Sequence, residues 1–235
     1  MTYELWDQLA AKAGRALTAE QHASLERYLV LLSYANTRMN LTRIVDRDAA
    51  AVAHIGDAFT LMPFIPAGTL RMADVGSGGG VPGIPLAIAY PEVSMTLIES
   101  TQKKAVFLQE TALALGLTNV TVLPIRAEEA GRGPLRDACD VVIARAVGEL
   151  VFLVEWCLPL ARKGGKLLTM KGAKAQEEMV VAQAAIHLLS GAKPVMHPVE
   201  LPGTQNHVIV EIAKIGRTDD RFPRPATQAK GKPVK

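Results

Sequence analysis

Cysteine and aromatic residues are scarce in this 235-residue chain, and long apolar runs are missing from it. The two cysteines, Cys139 and Cys157, form neither a CxxC pair nor a Cys/His cluster, which argues against a disulfide framework and against a zinc site. We therefore predict no bound metal. Both thiols are expected in the hydrophobic core, where free cysteines are most often found.

No stretch approaches the roughly 20 uninterrupted apolar residues that a membrane span needs, and the N-terminus lacks a basic flank followed by an apolar run. We expect a cytoplasmic protein that does not contact a membrane. With 49% apolar and 5% aromatic residues, the composition is that of an ordinary α/β protein. The length suffices for one domain with a large core but is short for two full domains.

Positive charge is concentrated at the C-terminus. Residues 214–235 hold seven basic and two acidic residues, a net charge of +5, which leaves −2 for the rest of a chain whose total is +3. A segment rich in Pro, Gly and Lys cannot bury enough apolar surface to fold alone. This composition predicts a flexible basic tail over residues 215–235, which either attracts a polyanion or only aids solubility.

The remaining chain divides by hydrophobic pattern into a helical part and an α/β part. Residues 1–66 are predicted to form a helical N-terminal extension, in which Thr18 and Gln21 make a possible capping box. From residue 67 to residue 214, short β-rich runs alternate with helical stretches, which indicates a parallel sheet covered by helices. Six runs are predicted to be strands: LRMADV, SMTLIES, NVTVLPI, CDVVIAR, GKLLTMK and HVIVEIAK.

A glycine-rich loop, DVGSGGGVPG at residues 74–83, follows the first predicted strand. Glycines permit positive φ angles and close backbone approach, so the loop can wrap a nucleoside or a pyrophosphate at the carboxyl edge of the sheet. Gly78, Gly80 and Gly83 match the dinucleotide pattern G-x-G-x-x-G, which is weak evidence alone. Counted from Gly76, the pattern fails because Val81 stands where its third glycine belongs.

Asp74 helps to choose between the two classes of ligand. A carboxylate two residues before Gly76 would repel a pyrophosphate but attract the ammonium group of S-adenosylmethionine. Glu99, about 20 residues after the loop, can accept hydrogen bonds from ribose hydroxyls and suits either ligand. The sequence therefore favours a methyltransferase loop, formed by Asp74, Gly76, Gly78 and Val81, over an NAD site.

Four separated motifs together resemble the glucose-inhibited division protein B family. They are DVGSGGGVPGIPLAI at residues 74–88, IARA at 143–146, Lys171-Gly172, and NLT at 40–42 followed by His54-Ile-x-Asp57. Members of that family methylate N7 of a guanine in small-subunit ribosomal RNA. The resemblance implies a doubly wound, mostly parallel seven-stranded sheet of the class I S-adenosylmethionine-dependent methyltransferase type.

The resemblance also implies a set of cofactor contacts. By position they fall on Gly76 and Val81 in the loop, on Glu99 and Ser100 after the second strand, on Ala127 and Glu128 after the third, and on Arg145 after the fourth. The implied partner is ribosomal RNA or a small-subunit assembly particle, and a monomer is expected. Arg145 could instead pair with Asp140 or Glu149, and His54 with Asp57 could pin the N-terminal helices.

Methyl transfer to guanine N7 requires no general base, because the nucleophile is a lone pair that carries no proton. This explains why no His/Asp pair or nucleophilic cysteine stands out, and no residue is assigned a catalytic role. Three alternatives stay open at this point. They are a methyltransferase acting on another RNA, a protein or a small molecule, an NAD-dependent oxidoreductase, and a non-catalytic RNA-binding module.

Overall fold

The β-rich runs form one twisted sheet. A computed structural model describes residues 2–229 and 232–234 of the chain. The strand order is β3-β2-β1-β4-β5-β7-β6, and β7 runs antiparallel to both of its neighbours while the others run parallel. The strands are β1 (Arg71–Val75), β2 (Ser94–Ile98), β3 (Val120–Leu123), β4 (Cys139–Arg145), β5 (Ala161–Lys171), β6 (Val195–Pro198) and β7 (Val208–Ala213). The predicted mostly parallel seven-stranded sheet is confirmed.

All six predicted runs are strands, and the one that the pattern did not mark is β6. This strand lies at the edge of the sheet beyond β7 and is largely exposed. An edge strand faces solvent on more than one side, so it needs no alternating apolar residues. Its terminal Pro198 is tolerated for the same reason, since an edge leaves ladder positions unpaired.

Helices cover both faces of the sheet. They are α1 (Thr2–Ala11), α2 (Ala19–Met39), α3 (Arg47–Ala50), α4 (Asp57–Phe59), α5 (Gly83–Ala89), α6 (Gln102–Ala114), α7 (Ala127–Ala130), α8 (Leu150–Cys157), α9 (Ala175–Leu188) and α10 (Ala226–Ala229). A π-helical segment, Ala51–Gly56, joins α3 to α4, and a 3₁₀ turn follows at Met62–Phe64. Within the described residues, none of these helices is both long enough and apolar enough to cross a membrane.

The helical N-terminus shares a hydrophobic core with one face of the sheet. Leu25, Tyr28 and Leu32 of α2 belong to the same buried cluster as Leu97 of β2 and Ile143 of β4. The opposite face packs against α8 and α9 and forms a second core, which contains both cysteines that were predicted to be buried. The N-terminal helices are therefore built into the α/β core, and the boundaries drawn at residues 66 and 214 stay predictions.

The start of α2 carries the predicted capping box. Thr18 Oγ1 accepts a hydrogen bond from Gln21 N at 3.2 Å, and Gln21 Oε1 accepts one from Thr18 N at 2.9 Å. The Gln21 amide also donates to the Ile88 carbonyl of α5 at 2.8 Å. A local capping signal thus also attaches α2 to the sheet domain.

The C-terminal segment is not a free polycation where the structure describes it. Phe222 is buried in the second core, and Arg136 donates hydrogen bonds to the Thr218 and Phe222 carbonyls, both at 2.7 Å. Arg224 pairs at 2.6 Å with Glu155 of α8, whose side chain is only 1% exposed. The expectation of a flexible tail is therefore wrong for residues 218–224. Lys230 and Lys235, which were part of that expectation, lie outside the described residues.

The Arg224–Glu155 pair provides a test of this packing. Arg224→Ala should lower the free energy of unfolding by about 3 kcal/mol, because it leaves a buried carboxylate without its cation. Arg221→Ala is the matched control, since Arg221 is exposed and, among the described residues, forms an ion pair only with the exposed Asp219. Urea denaturation of both variants measures the difference, and equal midpoints would contradict the docked C-terminal segment.

Candidate functional site

The topology of the sheet places a crevice at the carboxyl end of β1. This strand pairs with β2 on one side and β4 on the other, so the chain reverses its winding direction here, and open α/β sheets bind ligands at such switch points. A cleft of about 430 Å³ lies at this position. Its lining includes six of the predicted site residues, Gly76, Gly78, Val81, Glu99, Ser100 and Arg145.

The glycine loop forms one wall of this cleft. Gly76, Gly78 and Gly80 adopt φ angles of +72°, +56° and +94°, which favour glycine. A Cβ on Gly76 would lie 2.7 Å from Val147 Cγ2, whereas one on Gly78 would meet only the Gly76 carbonyl oxygen at 3.7 Å. Gly76 thus permits close packing against the loop after β4, and Gly78 leaves free space beside its backbone.

Helix α2 supports the loop from the other side. The Tyr28 hydroxyl donates to the Gly79 carbonyl at 2.8 Å, and a Cβ on Gly79 would lie 3.0 Å from Leu32 Cδ1. Burial raises the pKa of Tyr28, which keeps this donor protonated. The helical N-terminus therefore helps to define the loop conformation, a role that the sequence pattern did not reveal.

Glu99 connects the loop to the end of β2. Its Oε2 accepts a hydrogen bond from Gly78 N at 2.9 Å, and its Oε1 accepts one from Thr101 N at 2.7 Å. Each carboxylate oxygen has a second lone pair, so both can accept a further hydrogen bond from a ligand. Glu99 therefore has a structural role in the loop and also lines the cleft.

Asp74 lies behind the glycine loop and does not line the cleft. Its buried Oδ2 accepts a hydrogen bond from Gly83 N at 3.1 Å, and its Oδ1 has no hydrogen-bond partner among the described residues. Burial raises the pKa of Asp74 to about 7, an effect that the hydrogen bond from Gly83 only partly offsets. A cation arriving near this carboxylate would favour its ionised form.

Ala127 and Glu128 begin α7, after β3, and neither lines the cleft. Ala127 packs against the second core, and Glu128 is buried. Their predicted contact with a cofactor stays a prediction.

Arg145 lines the cleft and is held by Ala53 and Asp57, which belong to one segment far from it in the sequence. Its Nε lies 3.0 Å from Asp57 Oδ2, and its Nη2 donates to the Ala53 carbonyl at 2.9 Å. His207 Nδ1 lies 3.0 Å from the other oxygen of the buried Asp57. Both alternative partners considered for Arg145 are wrong. Asp140 instead accepts a hydrogen bond from Arg162 Nε at 2.6 Å, and the ion pair of Arg145 is with Asp57 and not with Glu149.

His54 joins Arg145 in the cleft. It lies in the π-helical segment, a rare geometry that occurs often at functional sites. Its Nε2 is 3.1 Å from Thr42 Oγ1 of the NLT motif. Burial, and secondarily the charge of Arg145, lowers the pKa of His54 to about 4, so the imidazole is neutral near pH 7. Thus Asp57 anchors Arg145, while His54 lines the site.

Comparison with known proteins identifies the family. Residues 21–209 match the family described as rRNA small subunit methyltransferase G, or GidB. The chain belongs to this family. It is 44% identical to ribosomal RNA small subunit methyltransferase G of Chloroflexus aggregans over 90% of this chain and 89% of that protein. It is 36% identical to the protein of the same name from Lactobacillus johnsonii over the full length of both.

Membership of the rRNA small subunit methyltransferase G family confirms the resemblance seen in the motifs. It also confirms the predicted class of enzyme, a methyltransferase that depends on S-adenosylmethionine, in preference to an NAD-dependent oxidoreductase. Among solved structures, the 16S rRNA (adenine(1408)-N(1))-methyltransferase of Catenulisporales acidiphilia is similar in fold, with a TM-score of 0.50. It is 15% identical over 64% of this chain and 87% of that chain.

Several cleft residues of this family member escaped sequence reasoning. Leu32, Lys104 and Val147 lie outside the predicted motifs, whereas Ser77 and Gly79 belong to the predicted glycine loop, and Leu41 and Ala146 belong to the NLT and IARA motifs but were not named as site residues. Ala146 has a φ of +55°, a costly conformation for a residue with a side chain and one often found at functional sites. The position of Ala146 at the end of the IARA motif is the sequence signal that could have marked it as a site residue. Lys171 supports the loop that follows β4, because its ammonium group donates a hydrogen bond to the Gly148 carbonyl at 2.5 Å.

The anchoring of Arg145 can be tested through Asp57. Asp57→Asn should lower the free energy of unfolding by about 3 kcal/mol, because it removes the buried partner of a partly buried arginine. Asp48→Asn on α3 is the matched control, since Asp48 is exposed and its one ion pair within the described part of the chain is with the exposed Arg47. Chemical denaturation compares the two, and an equal effect of both substitutions would show that Asp57 does not anchor this wall.

Proposed function

We propose that this chain transfers a methyl group from S-adenosylmethionine to N7 of a guanine in 16S ribosomal RNA. The observation that carries the proposal is the cleft at the switch point of the sheet, in a chain of the rRNA small subunit methyltransferase G family. Its glycine loop and Glu99 suit a nucleoside.

The residues of the cleft fit the methyl donor. The free space beside Gly78 can accommodate a nucleoside close to the backbone, and the remaining lone pairs of Glu99 can accept hydrogen bonds from two ribose hydroxyls. The unpartnered Oδ1 of Asp74 can favour an ammonium group electrostatically through the loop. Val81, Ser100 and Arg145 would complete the binding site from the cleft walls.

The donor supplies an electrophilic methyl group on a sulfonium, and guanine N7 offers a lone pair that carries no proton. The protein therefore needs to orient the two groups and exclude water, and good orientation contributes on the order of 7 kcal/mol or more. Leu32, Leu41 and Val147 provide apolar walls for this purpose. The neutral His54 and the anchored Arg145 are available to position the base, because a guanidinium keeps donors beyond those bound to Asp57 and Ala53.

The proposed substrate also bears on partners and location. A ribosomal RNA substrate would place the enzyme in the cytoplasm. We expect the enzyme to act as a monomer, either on naked RNA or on a small-subunit assembly particle. The C-terminal arginines stay candidates for phosphate contacts, but Arg217, Arg221 and Arg224 are already paired with Asp220, Asp219 and Glu155. We therefore expect their contribution to the salt dependence of RNA binding to be smaller than a free polycation would make.

The methylation itself is tested by mass mapping of nucleosides in 16S rRNA from cells with and without this protein. We expect one 7-methylguanosine to disappear with the protein and to return when the purified enzyme and S-adenosylmethionine are added. Methylation of a different atom or base would overturn the proposed chemistry. If cells without the protein lose a methyl group only from a protein or a small molecule, and not from 16S rRNA, the proposed substrate is wrong.

The role of Glu99 is tested by Glu99→Gln. We expect the affinity for S-adenosylmethionine to fall about tenfold, because a neutral amide replaces a carboxylate and charge-assisted hydrogen bonds are roughly twice as strong as neutral ones. The new NH₂ group must also face either the Gly78 or the Thr101 N–H, which loosens the loop. Calorimetry measures the affinity, with the exposed Glu110→Gln on α6 as the control. Unchanged affinity in Glu99→Gln would remove Glu99 from the binding site.

A further inference from the structure

A second groove opens next to the proposed methyl-transfer cleft. It has a volume of about 480 Å³ and lies between the C-terminal half of α2, the NLT segment and the start of α3. Leu32, Thr42 and His54 line both the groove and the cleft, so the two spaces adjoin at these residues. We propose that this groove binds the base of an rRNA nucleotide adjacent to the target guanine.

Exposed apolar side chains surround the groove. Val30 and Tyr34, one helical turn apart on α2, are 67% and 60% exposed, and Val45 opposite them is 76% exposed. Helix α2 already buries Leu25, Leu29 and Leu32 in the core, so folding does not require Val30 and Tyr34 to be apolar as well. Neighbouring large apolar side chains left in solvent are typical of a surface that a ligand covers.

The ring of Tyr34 gives this surface the chemistry of a nucleotide site. The Arg38 guanidinium lies 4.6 Å from the centre of the Tyr34 ring and donates to its hydroxyl at 2.5 Å. Proteins bind unpaired bases by stacking them on aromatic side chains and arginine planes. Ser33 and Thr37 add hydroxyl groups that can hydrogen-bond the edge of a base.

The charge around the groove matches a phosphate backbone. Among the described residues, no acidic side chain lines the groove. Arg43, which precedes Ile44 of the lining, is exposed and forms no ion pair within the part of the chain that the structure describes. Arg47 is engaged by Glu26 and Asp48. A nucleotide, which combines an aromatic base with a negatively charged phosphate, therefore fits the groove better than a basic or purely apolar partner.

Continuity with the cleft determines which nucleotide the groove would bind. Enzymes that modify a base extrude it from its stack and contact the flanking nucleotides to hold it. If the target guanine enters the cleft beside His54, the next nucleotide of the strand lies within reach of the groove on the far side of Leu32 and Thr42. This inference rests on the proposed function.

The test compares Tyr34→Ala with Tyr34→Phe in the full-length protein. Methyl transfer is measured on deproteinised 16S rRNA and on small ribosomal subunits, both from cells lacking the enzyme. We expect Tyr34→Ala to raise the KM for deproteinised 16S rRNA about fivefold or more, since stacking on one aromatic ring contributes about 1–3 kcal/mol per base. Tyr34→Phe should restore most of the loss because it keeps the ring. The affinity for S-adenosylmethionine should stay unchanged in both.

Two further variants sharpen the result. Arg43→Gln should lower the slope of log affinity against log salt by about 0.7 if Arg43 contacts one phosphate of a single strand. Leu113→Ala is the matched control, because Leu113 is 83% exposed on α6 and lies outside both the groove and the cleft. It should behave as the wild-type protein does.

The outcomes separate this inference from the proposed function. If the wild-type protein methylates neither substrate, the proposed function fails. If the wild-type protein is active and Tyr34→Ala matches Leu113→Ala, the groove does not bind RNA. A loss confined to ribosomal subunits, with deproteinised RNA unaffected, would assign the groove to a ribosomal protein. Loss of S-adenosylmethionine affinity in Tyr34→Ala would indicate a structural role and would also overturn the inference.

Discussion

The geometry of the site depends on the ion pairs that the buried carboxylate of Asp57 forms. Asp57 lies on a helix that precedes the sheet, yet its two oxygens lie close to Arg145 at the end of β4 and to His207 just before β7. A buried charge is tolerated only when it is paired, so these three segments must be docked together in the folded state. The position of Arg145 in the cleft therefore depends on the N-terminal helices as much as on the sheet.

The same dependence appears at the glycine loop. Glycines give the loop its conformational freedom, but freedom alone does not produce a binding surface. The loop is restrained by Glu99 from β2, by Tyr28 from α2 and by the packing of Val147 against Gly76. Helices that a sequence pattern marks as an extension are therefore a wall of the site and part of its core.

Restraint by neighbouring elements also suits the proposed methyl transfer to guanine N7. Transfer to an atom that carries no proton requires alignment and a dry environment more than an acid or a base. The neutral His54, the apolar walls and the anchored Arg145 meet these needs without a nucleophile. Both cysteines lie in the second core, where burial raises the pKa of Cys139 to about 12 and also raises that of Cys157, so neither is an activated thiol.

Local patterns predicted much of this protein. Six of the seven strands followed from apolar periodicity, the start of α2 from its capping box, and the glycine loop and Glu99 from their spacing along the chain. These features depend on residues close in sequence or on a regular topology. For the same reason, the family motifs were sufficient to indicate the fold and the class of enzyme.

The partners of charged side chains were decided only by the tertiary structure. Arg145 pairs with a residue 88 positions earlier, and Arg224 with one 69 positions earlier, so no local pattern could show either contact. Composition suggested a free basic tail because it averages over residues and does not show that Glu155 is buried and needs a cation. Burial also converts His54 into a neutral cleft residue and leaves Asp74 behind the loop. Desolvation and pairing depend on three-dimensional surroundings, which the order of residues alone does not display.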